Sequence, residues 1–176
     1  MEVAEIKNHI QKRQFNKFYI FTGPEWKVQR IYLEQMASAS GKDLRYVDSI
    51  TDIYSKLKNT SFISKPYLYV IRDDKEIMQN EKLQAQLETL LGQNILVLLL
   101  TAPDKRTKFY KQYSNLIIEF SCLKPDILRK YLKQEVTLSD TNYDKLMRIC
   151  EYDYGRCLLE IDKIRRYADG RTMERS

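Results

Sequence analysis

The sequence predicts an α/β protein in which a five-stranded parallel sheet is covered by helices on both faces and followed by a three-helix unit. Strand-like and helix-like patterns alternate as far as Phe120, after which only amphipathic helical patterns occur. The run 95–100 is apolar at every position, which is typical of a central strand buried on both faces. This alternation favours parallel strands joined by right-handed crossovers.

Five runs of aromatic, β-branched or aliphatic residues predict the strands. The first run, 18–21, is followed by a Thr-Gly-Pro-Glu turn at 22–25, which indicates a buried strand that turns into a helix. The predicted strands lie at 18–21, 44–48, 67–71, 95–100 and 116–120.

Amphipathic spacing predicts the helices of this α/β part. Ile50, Ile53, Tyr54 and Leu57 follow the i, i+3, i+4, i+7 pattern of a helix with one apolar face. A later leucine-rich helix ends at Gly92, a residue that favours helix C-termini. The predicted helices lie at 3–14, 25–39, 50–58, 83–91 and 105–113.

Three further amphipathic segments predict a separate helical domain. They lie at 125–134, 140–151 and 155–168, and the apolar face of the third includes Ile161, Ile164 and Ala168. A boundary near Pro125 separates them from the sheet. The predicted limits are 1–122 for the α/β domain, 123–170 for the three-helix domain and 171–176 for a frayed polar tail.

Composition excludes several classes of protein. The chain is 43% hydrophobic and 31% charged, with a net charge of +6, which permits contact with nucleic acid without establishing it. It has no apolar run of roughly 18 residues and no signal-like start, so we expect a cytoplasmic protein without membrane contact. Three cysteines and one histidine, in spacings that match no zinc motif, predict neither disulfides nor a metal site.

The turn after the first strand is where a sheet of this type would hold phosphate, at the N-terminus of the next helix. A phosphate loop requires G-x-x-x-x-G-K-[ST], but Gly23 and Lys27 stand in the wrong relation and no Ser or Thr follows Lys27. Pro24 removes a backbone donor, and Glu25 places negative charge where a triphosphate would lie. We therefore expect neither ATP binding nor any other cofactor at this degenerate phosphate-loop position.

The sequence gives little support to other catalytic arrangements. A degenerate ATPase using Lys27 and Asp73 is the enzymatic alternative, since Asp73 and Asp74 follow the third strand and could imitate a metal-binding pair. A solvated loop is the simpler interpretation of these two carboxylates. His9 is interpreted as a surface or packing residue, and Cys122 has no evident histidine partner. We expect no catalytic residue.

A polar connector at 59–66 contains two bulky apolar residues, Phe62 and Ile63. Two interpretations stay open: both side chains pack beneath the connector, or they form an exposed plug that enters a pocket on a partner protein.

DNA binding is a further hypothesis, because basic residues on helical faces attract phosphates. The candidate contacts are Lys105, Arg106, Lys108 and Lys111, or alternatively Arg165, Arg166 and Arg171.

Five short segments carry recognisable patterns. The order and spacing of the five segments are more specific than the pattern of any single segment. They are an aromatic-aliphatic run with Gly-x-Glu at 18–25, a strand at 44–48, a connector and strand at 59–71, a strand with Asp-Lys-Arg beyond it at 96–106, and a Gly, Glu, Lys helix at 154–164. Together they resemble the delta subunit family of the bacterial DNA polymerase III clamp loader, over almost the whole chain.

The resemblance implies an AAA+ fold, with a RecA-like domain and a three-helix lid, and a subunit without its own ATPase. The family is associated with DNA-directed DNA polymerase activity only as part of the holoenzyme. A Leu-Phe pair enters the pocket of the sliding clamp in this family, and it maps to Ser61 and Phe62. Phe62 matches the phenylalanine of this pair, whereas Ser61 stands where the family has leucine. Ile63 is the residue that could replace the lost leucine.

The resemblance also implies partners and a missing part. The expected partners are the β sliding clamp and the ATPase subunits of the loader, with primer–template DNA bound weakly or indirectly. The family has a further C-terminal collar domain that joins the subunits. We therefore expect this sequence to be either a fragment or a reduced version of the kind that a phage encodes.

Overall fold

The computed structural model describes residues 3–59 and 65–173, and its elements follow the predicted alternation of helices and strands. A 3-10 turn, Ser114–Leu116, precedes the last strand. The elements are α1 Val3–Lys12, β1 Phe18–Thr22, α2 Trp26–Ser40, β2 Asp43–Tyr46, α3 Ile50–Asn59, β3 Tyr67–Arg72, α4 Lys75–Gln79, α5 Glu81–Leu91, β4 Ile95–Leu100, α6 Lys108–Gln112, β5 Ile117–Glu119, α7 Pro125–Glu135, α8 Asp140–Ile149 and α9 Tyr154–Met173.

The sheet has five strands in the order β2-β3-β4-β1-β5, and every pairing between its described strands is parallel. β4 lies at the centre and is buried at all six positions, as its continuous apolar run predicts. β1 pairs with β4 from Phe18 opposite Leu96 to Thr22 opposite Leu100. The predicted five-stranded parallel sheet is confirmed.

Both faces of the sheet are covered, because successive strand residues point to opposite sides. Phe18 and Ile20 of β1 join a core cluster on one face, whereas Tyr19 and Phe21 are buried on the other. On that second face Tyr32 of α2 packs against Phe120, with ring centroids 5.6 Å apart. The helices α3 to α6 supply the first cluster with Ile50, Ile53, Ile77, Leu83, Leu87, Leu91 and Phe109.

Helix α4 is the main element that sequence patterns did not predict. Asp74 is its N-cap, with a side chain that accepts the backbone N–H of Ile77. Asn80 ends α4 and also caps α5, where its side chain accepts the N–H of Leu83. The helix predicted at 105–113 is shorter and begins after Thr107, which caps it through Tyr110. Five-residue helices of this kind depend on caps more than on periodicity, so the apolar pattern does not reveal them.

Contacts divide the chain into two compact units. The sheet unit comprises 1–24 and 28–120, and the helical unit comprises 25–27 and 121–176. The helical unit contains α7, α8 and α9, and Arg129 of α7 joins α8 through ion pairs with Asp140 and Asp144. Its buried apolar side chains are Leu128, Leu132, Tyr143, Leu146, Met147, Cys150, Tyr154, Cys157 and Ile161.

The second half of α9 differs from expectation. Ile164, predicted to lie on the buried face, is 55% exposed, and residues 162–167 are exposed at every position. The helix extends to Met173, so residues 171–173 of the predicted frayed tail are helical, whereas 174–176 lie outside the described residues. No helix in the described part of the chain has the length and apolar content needed to cross a bilayer.

Candidate functional site

The turn after β1 is short and closely packed within the sheet unit. Only residues 23–25 separate β1 from α2. Gly23 has a φ of +104°, and a Cβ at this position would lie 2.3 Å from the carbonyl oxygen of Phe120. The N–H of Phe120 donates to the oxygen of Thr22 at 2.8 Å, and Gln29 Nε2 donates to the oxygen of Gly23 at 2.9 Å. The backbone beyond β5 therefore occupies the space beside this turn.

Glu25 belongs to the helical unit and is a buried carboxyl group, only 6% exposed. Its Oε1 accepts the backbone N–H of Leu123 at 3.2 Å. Burial raises the pKa of Glu25, the N–H of Leu123 opposes the shift, and the nearby carboxylate of Asp153 raises the pKa further. The group therefore takes part in the structure of the helical unit.

Lys27 also differs from a phosphate-binding lysine in its surroundings. Its ammonium group lies over the indole ring of Trp26, 4.8 Å from the ring centre. Trp26 is 52% exposed, and its indole lies beside Gly155, where a Cβ would stand 3.3 Å from Nε1. Gly155 thus leaves room for the indole. Sequence patterns did not predict this exposed tryptophan.

Asp73 and Asp74, the possible metal-binding pair, are both engaged in hydrogen bonds at the end of β3. Asp73 has a left-handed φ of +47°, and its carboxylate accepts the N–H of Thr101 at 2.9 Å and the hydroxyl of Thr101 at 2.6 Å. Asp74 is buried and accepts the N–H groups of Ile50 and Ile77, each at 2.8 Å. Within 3–59 and 65–173, no group of three or more His, Cys, Asp or Glu side chains is placed to hold a metal ion.

Three of the four DNA-contact residues predicted in the sheet unit form exposed ion pairs, and the fourth, Lys111, is an exposed residue in the last turn of α6. Lys105 lies 3.6 Å from Glu119, Lys108 lies 2.7 Å from Glu81, and Arg106 makes a two-pronged pair with Asp104 at 3.0 Å. Exposed pairs of this kind contribute little to stability.

The alternative basic cluster lies on α9. Arg165 donates to the carbonyl of Glu135 and lies 3.5 Å from Asp162. Arg166 is exposed, and the side chain of Arg171 lies outside those that the structure describes. Direct DNA contact by either cluster stays a prediction.

His9 and two of the three cysteines have structural surroundings, whereas Cys122 is exposed. His9 Nδ1 lies 2.9 Å from the hydroxyl of Tyr19, which also accepts the N–H of Asn16. Cys150 and Cys157 are buried, and burial is the main cause that raises the pKa of Cys157 to about 12. That thiol therefore stays protonated near neutral pH, and a thiolate nucleophile is not available from it.

The predicted clamp-binding residues Ser61, Phe62 and Ile63 lie outside the described residues. The described chain on either side of them belongs to the sheet unit. α3 extends to Asn59 on one side, and on the other Lys65 Nζ lies 2.7 Å from Asp43 while the N–H of Tyr67 donates to Asn94 Oδ1 at 2.8 Å. The connector thus lies between the end of α3 and the start of β3 in the chain.

The chain is similar to a known protein in its fold but not in its sequence. No protein-family model matches the chain, and no curated protein matches it in sequence. Among solved structures, it is similar to the Bacillus subtilis DNA clamp loader delta protein (YqeN), with a TM-score of 0.57 and 13% sequence identity. The similarity covers 94% of this chain and 57% of that one, so this chain spans a little over half of its length. At this identity the likeness shows the fold alone, and it confirms the α/β, RecA-like class.

Proposed function

We propose that this chain is a clamp-loader-like subunit of DNA replication that binds a sliding clamp and does not hydrolyse ATP. The observation that carries the proposal is the combination of a RecA-like fold, similar to that of a clamp loader delta protein, with a turn after β1 that is filled by the protein's own backbone. A RecA-like fold without a phosphate-binding loop can serve to bind a partner protein. Its partners would be the β sliding clamp and the ATPase subunits of a loader.

Three features of the turn support the absence of ATP hydrolysis. The three residues between β1 and α2 are too few to wrap a triphosphate. The space beside Gly23 is taken by Phe120, and the carbonyl oxygen of Gly23 accepts a hydrogen bond from Gln29. Lys27 lies over Trp26. An ATPase that uses Lys27 and Asp73 would need both side chains to leave their present partners.

The clamp-binding surface in this proposal is the connector that contains Ser61, Phe62 and Ile63. Burying the side chain of Phe62 in an apolar pocket contributes about 2 kcal/mol. Ser61 provides little apolar area, so Ile63 would supply the second contact. Such binding opens a ring only if the connector binds the open ring more tightly than the closed one, because a ligand shifts an equilibrium by its differential affinity.

The proposal is tested by titrating the full chain with the β sliding clamp encoded by the same organism. We expect Phe62→Ala to weaken binding about 30-fold, which corresponds to the loss of about 2 kcal/mol. Leu159→Ala is the matched control, since Leu159 is an exposed apolar residue of the helical unit, 58% exposed. Equal affinities for the original chain and for Phe62→Ala, or no binding by either, would contradict the proposed function.

A further inference from the structure

Exposed apolar side chains are concentrated on the helical unit. Seven large apolar side chains are exposed among the described residues, and all except Tyr46 belong to this unit. The six are Trp26, Ile149, Tyr152, Leu159, Ile164 and Tyr167. Isolated exposed hydrophobic residues are normal on soluble proteins, whereas adjacent ones mark surfaces that bind a partner. The question is therefore which of the six lie next to each other.

Trp26 and Leu159 lie close together at the start of α9. Gly155 is so near the indole that a Cβ there would stand 3.3 Å from its Nε1 atom. Leu159 comes one turn after Gly155, and helical side chains lean toward the N-terminus of the helix, so Leu159 leans toward the indole. Trp26 is 52% exposed and Leu159 is 58% exposed. We call the surface formed by these two side chains the indole patch.

Two cationic groups lie at the ends of the indole patch. The ammonium group of Lys27 is 4.8 Å from the centre of the indole ring. Arg166 is exposed on the same side of α9 as Leu159, seven residues further on, and lies about 16 Å along the helix axis from Gly155. Neither Lys27 nor Arg166 forms an ion pair with a side chain that the structure describes. The two ends of the patch therefore attract negative charge.

The distribution of charge favours an acidic protein segment over nucleic acid. Asp162 lies on the same side of α9 between the two cations, where it pairs with Arg165 at 3.5 Å. A continuous phosphate backbone would run past this carboxylate, whereas a protein segment can place its own carboxylates at the two ends only. A base also needs an open ring face for stacking, and Lys27 already lies over one face of the indole.

The shape and size of the patch favour a single helix as the partner segment. Every described element of the helical unit is a helix, so this part of the chain offers no strand edge to which a peptide could add. Packed helices interdigitate side chains at a spacing of one turn, which is the spacing of Gly155 and Leu159. The two apolar side chains expose on the order of 200 Å², whereas each partner of a stable interface buries roughly 800 Å². The patch is thus too small to hold two copies of this chain together.

We propose that the indole patch binds an acidic amphipathic helix of a partner protein. Trp26 and Leu159 contact two apolar side chains one turn apart on that helix, and Lys27 and Arg166 pair with carboxylates near its two ends. None of these residues belongs to the connector assigned to the clamp, so the inference goes beyond the proposed function and does not rest on it.

The fluorescence of Trp26 provides the test, because Trp26 is the only tryptophan of the chain. The probe is a synthetic alanine-based peptide of about 16 residues, which forms about four helical turns. It carries two leucines one turn apart and glutamates toward both ends of the same face. We expect this peptide to shift the Trp26 emission to shorter wavelength, because the indole leaves water. The same peptide with lysine in place of glutamate should bind about tenfold more weakly.

Substitutions on α9 locate the contact. Leu159→Ala should weaken binding of the acidic peptide about tenfold, as truncation of a central interface residue does. Ile164→Ala is the matched control, since Ile164 is 55% exposed on the same helix but about 140° around it from Leu159. Lys27→Gln combined with Arg166→Gln should weaken binding about tenfold at low salt and reduce its salt dependence. Leu159→Ala should leave clamp affinity unchanged, which separates this surface from the clamp-binding one.

Several results would overturn the inference. One is the absence of any shift in Trp26 emission with the acidic peptide, and another is an equal loss of binding from Leu159→Ala and Ile164→Ala. A shift caused by a single-stranded DNA oligonucleotide but not by the acidic peptide would make the patch a nucleic-acid surface. A shift that depends only on the concentration of this chain would make it a contact between two copies.

Discussion

Gly23 is the residue on which the shape of the turn after β1 depends. Its φ of +104° disfavours any side chain, and a Cβ would lie 2.3 Å from the backbone oxygen of Phe120. We expect Gly23→Ala to lower the free energy of unfolding by about 3 kcal/mol, because backbone strain and overpacking add. Chemical denaturation measures the change.

Gly41 provides the matched control for that substitution. Its φ is also positive, at +66°, but a Cβ there would meet nothing within 4 Å. Gly41→Ala should therefore cost only the conformational penalty, about 1 kcal/mol. If the two substitutions had equal effects, the close approach of Phe120 to Gly23 would not be a property of the folded protein.

Glu25 gives the stability of the helical unit a specific pH dependence. Burial raises its pKa above 4.5, so the folded chain binds this proton more tightly than the unfolded chain does. The contribution of Glu25 to stability is therefore fully present below about pH 4.5 and is lost as the pH rises through the raised pKa. Glu25→Gln keeps a carbonyl acceptor for Leu123 and removes the charge.

We expect the unfolding free energy of Glu25→Gln, relative to the original chain, to increase with pH above about 4.5 and then to level off. Urea unfolding at a series of pH values measures it. Glu34→Gln, which removes an exposed carboxylate paired with Arg30, is the control and should lack this increase. A difference that stays constant, or that falls with pH, would contradict the assignment.

At the scale of elements, hydrophobic pattern predicts most of what the structure contains. β4 begins and ends where its apolar run does, and α3 and α5 follow their spaced leucines and isoleucines. Long periodic segments are predictable because burial of one face determines both their type and their position. α4 was not predicted because its existence depends on Asp74 and Asn80, whose caps are local hydrogen bonds without periodicity.

Helix α9 has an apolar pattern that extends further along the chain than its buried face does. Its periodicity continues past Ile161, so the sequence predicts that Ile164 is buried. In the structure the elements that cover the first half of α9 do not cover Ile164. Spacing reveals which face of a helix is apolar, but it does not reveal how far a neighbouring helix extends along that face.

For the candidate site, the sequence predicts which phosphate-loop residues are missing, but it does not predict which residues occupy that part of the structure. The missing pattern around Gly23 and Lys27 is visible in the sequence. That Phe120 fills the space beside Gly23, and that Asp74 joins two helices, depends on residues about 97 and 24 positions away in the chain. Contacts between residues this far apart in the chain depend on the topology of the fold, which a local sequence pattern does not reveal. The connector at Ser61, Phe62 and Ile63 stays a prediction from resemblance.

At the scale of the whole molecule, the protein combines a RecA-like fold with a turn after β1 whose adjoining space is filled by the backbone of Phe120. Under the proposed function, the chain acts through binding energy alone, so we expect its affinity for a partner not to depend on nucleotide. DNA contact by Lys105, Arg106, Lys108 and Lys111 would be a secondary interaction that weakens with salt.

Calorimetric titration of this chain with the β sliding clamp, with and without Mg-ATP, measures both properties that the proposed function combines. We expect the same clamp affinity in both conditions and no heat of binding from Mg-ATP alone. Tight binding of Mg-ATP that disappears in Lys27→Ala, together with no detectable binding of the clamp, would contradict the proposed function.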